Sequence, residues 1–267
     1  MVHSSLPRYQ NLLKNISNWP VYFTRKFNKA FQPVQFVTRG NRLKFDVPST
    51  GEYLVFKEIF VTDFYDMDNL VKRLGAKPVI IDIGANVGYF NIMLFSKTKD
   101  ATVYAYEPIP ANYELFKKTI ALNPLLQKKI HLFNKAVTGT PQQFVELYME
   151  SATENSVIAS VYADFDKQNK YSVKVPAISL QQIVDENKLG KIDLVKIDCE
   201  GSEYPIIYET PGNVWQQINM LTIEVHNLDE DKRNAARLGK FLEEKGFQVN
   251  TMPAHSNCYF LEATRNH

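Results

Sequence analysis

The stretch Val79-Ile80-Ile81-Asp82-Ile83-Gly84-Ala85-Asn86-Val87-Gly88-Tyr89-Phe90 constrains this chain more than any other. An aliphatic run broken only by Asp82 reads as a buried strand, the small residues after it as a sharp turn, and the aromatic pair as the start of a helix. A second strand, Thr102-Val103-Tyr104-Ala105-Tyr106, ends in Glu107. A glycine turn after one strand and a carboxylate after the next is how a doubly wound sheet holds a nucleoside. Glycine lets backbone approach the ligand, and the carboxylate accepts from the two ribose hydroxyls. Such charge-assisted bonds are worth roughly 1.5–3 kcal/mol.

The spacing within the turn separates two kinds of nucleoside. A dinucleotide fingerprint starting at Gly84 calls for glycines at 86 and 89, because a pyrophosphate must meet bare backbone at a helix N-terminus. This chain has Asn86 and Tyr89 there, and its second glycine is Gly88. A polar side chain and a bulky ring crowd a pyrophosphate and suit a smaller ligand such as S-adenosylmethionine. Asp82 is placed either for that ligand's ammonium or for ordering the loop. A nicotinamide oxidoreductase is the competing reading, weakened at these two positions.

A second block, Ile192-Asp193-Leu194-Val195-Lys196-Ile197-Asp198-Cys199-Glu200-Gly201-Ser202-Glu203, follows Ile178-Ser179-Leu180-Gln181-Gln182-Ile183. With the glycine turn and the Glu107-Pro108 pair, these motifs resemble the FkbM family of S-adenosylmethionine-dependent methyltransferases over roughly residues 52–263. Cys199 stands where that family usually carries an aliphatic residue. The resemblance implies an α/β class I methyltransferase fold, Rossmann-like, with a mostly parallel seven-stranded sheet and helices on both faces. It implies an enzyme that uses S-adenosyl-L-methionine, releases S-adenosyl-L-homocysteine and mostly methylates hydroxyl oxygens, often on sugars or other secondary metabolites. Asp82, Gly84, Ala85, Asn86, Gly88, Tyr89 and Glu107 carry over as donor-binding candidates. Pro108 would border the adenosine and Ala136 lie against the adenine. Glu58 and Tyr65, in a segment similar to one that precedes the family's glycine turn, either cap the donor or serve the helix surface. Asn155 and Ser156 resemble a polar family motif and are acceptor-side candidates.

At 267 residues the chain can bury a substantial core. The natural division is one methyltransferase domain over 52–267 behind an N-terminal extension, 1–51. The net charge of +2 argues for no obligatory polyanion, and no Asp/Asn-Pro-Pro-Tyr type of base-methylating motif follows the fourth strand, so nucleic acid is not the expected partner. The charge is uneven: Arg8, Lys14, Arg25, Lys26, Lys29, Arg39, Arg42 and Lys44 precede the first acidic residue, Asp46. Aromatic residues are interleaved with them, Tyr9, Trp19, Tyr22, Phe23, Phe27, Phe31 and Phe36 among them. Such an arm either makes peripheral contact with an anionic membrane or an acidic acceptor, or folds over the catalytic domain or a second subunit of a homo-oligomer. Two cysteines, Cys199 and Cys258, show neither metal-ligand spacing nor a disulfide framework. With no apolar run of membrane-spanning length and no signal-peptide core, a cytoplasmic location is the expectation.

Weak alternation at 35–38 and 42–47 predicts a small hairpin, and helical spacing predicts one helix from Glu52 to Leu74, stopped by Gly75. Helices 89–97 and 111–122 and the strand 130–134 continue the alternation. Residues 138–177 interrupt it with strands 144–149 and 171–175, an insertion placed to act as an acceptor-binding lid. Alternation resumes with helix 179–188, strand 192–198, helix 202–209, strand 220–225 and helix 231–245. Segments 247–251 and 258–262 suit a closing antiparallel pair.

Methyl transfer to oxygen requires alignment, water exclusion and usually removal of a proton. Alignment can supply roughly 7–11 kcal/mol, and a general base about 10²–10⁴-fold. Lys196 and Asp198 share one face of the fourth strand, and Glu224 and His226 one face of the fifth. These four are the catalytic candidates, in three arrangements. His226 takes the acceptor proton while Glu224 or Asp198 orients its ring; Asp198, Glu224 and His226 bind a divalent cation that acidifies the hydroxyl; or Asp198 and Lys196 grip the donor's methionine end and proximity does the rest. His131 and His255 read as structural. The expected acceptor is a small molecule, glycan or glycolipid. A non-catalytic donor-binding scaffold and N-methylation of a small-molecule amine are the other readings.

Overall fold

The computed structural model describes residues 5–27, 32–149, 159–161, 171–255 and 257–265. Helices α1 (Ser5–Asn15) and α2 (Pro20–Phe27) precede the hairpin of β1 (Val34–Val37) and β2 (Lys44–Val47). Helix α3 (Thr50–Phe56), a π-helical stretch (Lys57–Thr62) and α4 (Met67–Leu74) follow. Then come β3 (Val79–Ile83), α5 (Tyr89–Lys97), β4 (Thr102–Tyr106), α6 (Pro110–Leu122), α7 (Pro124–Gln127) and β5 (Ile130–Phe133). The insertion holds β6 (Ala136–Thr138), β7 (Phe144–Met149), β8 (Ala159–Ser160) and β9 (Tyr171–Ser179). The rest is α8 (Leu180–Glu186), β10 (Leu194–Ile197), α9 (Glu203–Glu209), α10 (Gly212–Trp215), β11 (Met220–His226), α11 (Ala235–Glu244), β12 (Phe247–His255) and β13 (Cys258–Arg265).

These elements form two compact units. The first gathers the described residues up to Lys77 with Ala85–Ala101 and Glu114–Ile130. Its centre is aromatic: Phe36 stacks on Phe56 at 4.2 Å, and Phe45 stacks on Phe60 at 4.9 Å. Burying such rings is worth roughly 1.5–3 kcal/mol each, which is why the expected hairpin is held down. It pairs antiparallel from Val34↔Val47 to Val37↔Lys44. Of the interleaved aromatic residues, Phe36 is buried, Trp19 and Tyr22 pack on Phe23, and Tyr22 also stacks on Tyr53. The side chains of Arg25, Lys26, Phe27, Lys29 and Phe31 lie outside the described residues. Asp68 pairs with Lys14 and, at 3.1 Å, with Lys97, joining α1, α4 and α5.

The helix expected from Glu52 to Leu74 is broken. Asp63 and Asp66 adopt left-handed φ values of 57° and 46°, and the Asp63 carboxylate accepts the Met67 amide at 3.0 Å. Aspartate offers the backbone this local alternative to helix, so the apolar spacing on either side belongs to two helices.

The second unit comprises Pro78–Gly84, Thr102–Tyr113 and the described residues from His131 onward. Its seven-stranded sheet has the order β12-β13-β11-β10-β3-β4-β5. Strands β11, β10, β3 and β4 run parallel, and β13 is antiparallel to both β11 and β12. Largely aliphatic runs in β3, β10 and β11, broken by Asp82, Lys196, Thr222 and Glu224, fit strands buried on both faces. A second sheet, β6-β9-β7-β8, comes from the insertion. The helix expected at 231–245 starts four residues late. The Asp229 carboxylate first accepts the amides of Asp231, Lys232 and Arg233, and Asn234 then caps α11.

Gly84 leaves β3 at φ 76°, and a Cβ there would collide with the Asp198 backbone carbonyl. Left-handed strain and overpacking both act on any replacement. Gly84→Ala should therefore lose at least about 2 kcal/mol of unfolding free energy in urea melts. Gly190 has open space and an ordinary φ. Gly190→Ala should be neutral or stabilising by up to about 1 kcal/mol.

Candidate active site

The chain leaves β3 toward β4 and β5 on one side and later returns to β10 and β11 on the other. Such a reversal opens a crevice at the strands' carboxyl ends, where doubly wound sheets bind ligands. Lys196 lies beneath that point. Its ammonium donates to the Gly84 carbonyl at 2.7 Å and pairs with Asp82 at 3.2 Å and Asp198 at 3.4 Å. The Lys196 and Asp82 side chains are 3% and 0% exposed, whereas that of Asp198 is 29% exposed. Burial opposes the ammonium, but Asp82 and Asp198 outweigh it and hold the pKa above the usual lysine value. Lys196 is thus a fixed cation that anchors the turn. Asp82 is buried against it and orders the loop; Asp198 keeps an edge toward solvent.

At the exit of β4, Glu107 is buried and its Oε1 accepts the Ile109 amide at 2.9 Å. Asn134 donates to the Glu107 and Pro108 carbonyls at 2.8 and 2.9 Å. Ala136 packs with Ile109 and Leu147. The Gly84 amide donates to the Tyr106 carbonyl at 3.0 Å. These bonds place the ends of β3, β4 and β5 in one frame.

In the first unit, Asn86 takes a left-handed φ of 49°, and its side chain accepts the Val87 amide at 2.7 Å. Ala85 follows Gly84 directly, and its carbonyl accepts the Gly88 amide at 2.9 Å. Gly88 caps α5 at φ 83°, where a Cβ would strike the Phe116 ring. Tyr89 is buried against Phe45, and its hydroxyl donates to the Asp46 carbonyl at 2.7 Å. Its side chain, expected beside the donor, is a brace for the hairpin. Glu58 is half-buried in the π-helical stretch, and Tyr65 is buried with its ring edge-on to Phe90.

The ends of β10 and β11 carry a second ionisable cluster in the second unit. His226 Nε2 lies 3.2 Å from Glu200 and 3.8 Å from Glu224, and Nδ1 lies 3.6 Å from Glu203. Cys258 Sγ donates to Glu224 at 3.1 Å. Glu203 also accepts the Gly201 and His226 amides at 2.7 and 2.9 Å, tying the β10 loop to the end of β11. Burial alone would lower the imidazole pKa, yet hydrogen bonding to Cys258 and Glu203 and the Glu200 charge push it up to about 12. Burial pushes Glu200 up to about 8, against the pull of His226. His226, expected as the proton acceptor, thus stands among three carboxylates that favour its protonated form. Glu200 is the carboxylate nearest its Nε2.

Sequence reading placed Lys196, Asp198, Glu224 and His226 at these strand ends and passed over Glu200, Glu203 and Cys258. The two glutamates stand within the block that carries the resemblance, so their signal was present. Cys258 becomes visible only through the β13 register, which sets it opposite His226. His131 stacks on Tyr104 at 4.9 Å, in keeping with a structural role. The candidates Asn155 and Ser156 and the His255 side chain lie outside the described residues. From the insertion, Ser160 is buried and donates to the Glu200 carbonyl at 2.6 Å.

The family model described as methyltransferase FkbM domain matches residues 82–249. The methyltransferase sdnD of Sordaria araneosa is 26% identical over 219 residues, 73% of this chain and 82% of that protein. Methyltransferase 1 of Beauveria bassiana is 26% identical over 234 residues, 79% of this chain and 89% of that one. The 31-O-demethyl-FK506 methyltransferase FkbM of Streptomyces tacrolimicus is 20% identical over 196 residues, covering 66% and 75%.

Removing one partner of a buried charge group strands the others, at a cost of about 3–5 kcal/mol. Lys196→Met should show that loss in chemical denaturation. The double variant Lys196→Met with Asp82→Asn should recover part of it, and strict additivity of the two losses would contradict the pairing.

Proposed function

The chain belongs to the FkbM family of S-adenosylmethionine-dependent methyltransferases, and we propose that it methylates a hydroxyl oxygen of a sugar, glycolipid or other secondary metabolite. The observation that carries this reading is the Glu200–His226 pair, 3.2 Å apart at the carboxyl ends of two adjacent central strands. A hydroxyl is a weak nucleophile until its proton has somewhere to go. Glu200 accepts that proton, and the His226 imidazolium steadies the carboxylate before the transfer. One relative's name, 31-O-demethyl-FK506 methyltransferase, supports oxygen as the acceptor atom.

The donor, when bound, supplies a methyl group already activated on a sulfonium. Residues at the β3 and β4 exits fit it. Gly84 sets the left-handed turn at the β3 exit, packed against the Asp198 carbonyl, and the buried Glu107 carboxylate suits the ribose hydroxyls beside Pro108. Asp198, partly open above Lys196, suits the donor's ammonium. Ala136 is proposed at the adenine, and Ala85, Asn86 and Gly88 join the donor set on sequence pattern. Glu224 lies 3.8 Å from the same Nε2 that faces Glu200, and Glu203, at Nδ1, holds the far side of the ring and orients it.

Among the described residues no helix is long and apolar enough to cross a membrane. The proposed acceptor is a small molecule or glycan, in keeping with a net charge of only +2.

The test is methyl transfer to a panel of sugars, glycolipids and hydroxylated metabolites, with the methylated atom located by NMR. Glu200→Gln should lower kcat by about 10²–10⁴-fold and leave the S-adenosylmethionine dissociation constant within about two-fold. Glu107→Ala should instead weaken S-adenosylmethionine binding by roughly 10–100-fold in calorimetry. Undiminished turnover in Glu200→Gln removes it as base, and a methylated nitrogen in the product overturns the O-methylation reading.

A further inference from the structure

The face of β11 that carries Glu224 and His226 meets Cys258 at the start of β13, directly opposite His226 in register. One ligand atom from each of these residues, a carboxylate oxygen, a ring nitrogen and the sulfur, falls within 4.8 Å of the other two. Tetrahedral Zn²⁺ sites with bonds of about 2.0–2.3 Å place neighbouring ligand atoms roughly 3.5 Å apart. Here Sγ to the Glu224 carboxylate is 3.1 Å, and Nε2 to the same carboxylate is 3.8 Å. Little movement separates this arrangement from a coordination shell. All three residues stand on paired strands of the central sheet, so their spacing is set by backbone hydrogen bonding rather than by loops.

Charge points the same way. Glu200, Glu203 and Glu224 all lie within 4 Å of the single imidazole ring, so the cluster carries more anionic than cationic groups in a mostly buried place. Buried carboxylates in excess of their cations are costly unless an ion joins them. The donor set chooses among ions. Thiolate and imidazole are ligands for borderline transition metals, whereas Mg²⁺ and Ca²⁺ take oxygen.

We infer that Glu224, His226 and Cys258 form a binding site for a divalent transition metal of the Zn²⁺ class. Three protein ligands leave a fourth position, the pattern of sites that accept water or substrate rather than of closed structural ones. Glu200, 3.2 Å from His226 Nε2, stands beside that position. Binding requires Nε2 and Sγ without their protons, so uptake of the ion releases protons to solvent. In the loaded protein the ion takes the place of the Nε2 proton and supplies the positive charge that faces Glu200. Whether it binds does not depend on the acceptor being a hydroxyl, so the two readings fail separately.

The test uses the full chain, stripped with a chelator and titrated with Co²⁺ and with Zn²⁺. The expected result is one equivalent of tightly bound metal, a thiolate-to-cobalt charge-transfer band, and proton release in weakly buffered solution. Cys258→Ser should abolish the band, and His226→Gln should weaken binding by at least about 100-fold. Cys199→Ala, which leaves the cluster intact, should change neither. Absence of a thiolate band in the folded wild-type protein with saturating Co²⁺, or a band that survives Cys258→Ser, overturns the site. A missing wild-type band decides by itself, and should Cys258→Ser misfold, Cys199→Ala still separates the two thiols: a band lost in that variant overturns the site.

Discussion

Everything around the crevice hangs on the Lys196 ammonium. It reaches from β10 to Asp82 on β3, to Asp198 at its own strand's exit and to the Gly84 carbonyl in the turn. A lysine that is 3% exposed is unfavourable unless its charge is met, and here two carboxylates and a carbonyl meet it. The arrangement adds little net stability compared with a well-packed aliphatic substitute. Its contribution is specificity: the turn has one position in which the ammonium is satisfied. Gly84 must then be glycine, because the Asp198 carbonyl occupies the space of a Cβ.

The second cluster is arranged differently. Around Lys196, two carboxylates and a carbonyl hold one ammonium. Around His226, three carboxylates share one imidazole: burial raises Glu200, while hydrogen bonding to Cys258 and Glu203 and the Glu200 charge raise His226 against its own burial. The first cluster joins β10 to β3, and the second joins the β10 exit to β11. Glu203, fully buried, holds the Gly201 and His226 amides and so fixes the loop on which Glu200, the proposed base, stands.

Much of the frame was legible in the sequence, because parallel strands buried on both faces write themselves as aliphatic runs. The strand-end residues Lys196, Asp198, Glu224 and His226 followed from the two-residue period of a strand. The break near Asp63 was not legible, since the apolar spacing on either side still looks helical and only the aspartates' local hydrogen bonds end it. Tyr89 entered the donor set with the glycine-turn motif, and that motif gave no sign that its ring packs on Phe45 and its hydroxyl on the Asp46 carbonyl. Cys258 was hidden for another reason. Its relation to His226 depends on strand register between segments far apart in sequence, and no local pattern encodes that.

The hydrogen bond from Ser160 to the Glu200 carbonyl joins the insertion to the loop that follows β10. Segments inserted between the elements of a fold tolerate more change than the elements they connect. Here such drift is not private to the insertion. A change that shifts β8 pulls on the backbone of Glu200 and, through Glu203, on the end of β11. Rewriting the insertion would therefore move the loop after β10 along with it, unless Ser160 is left in place.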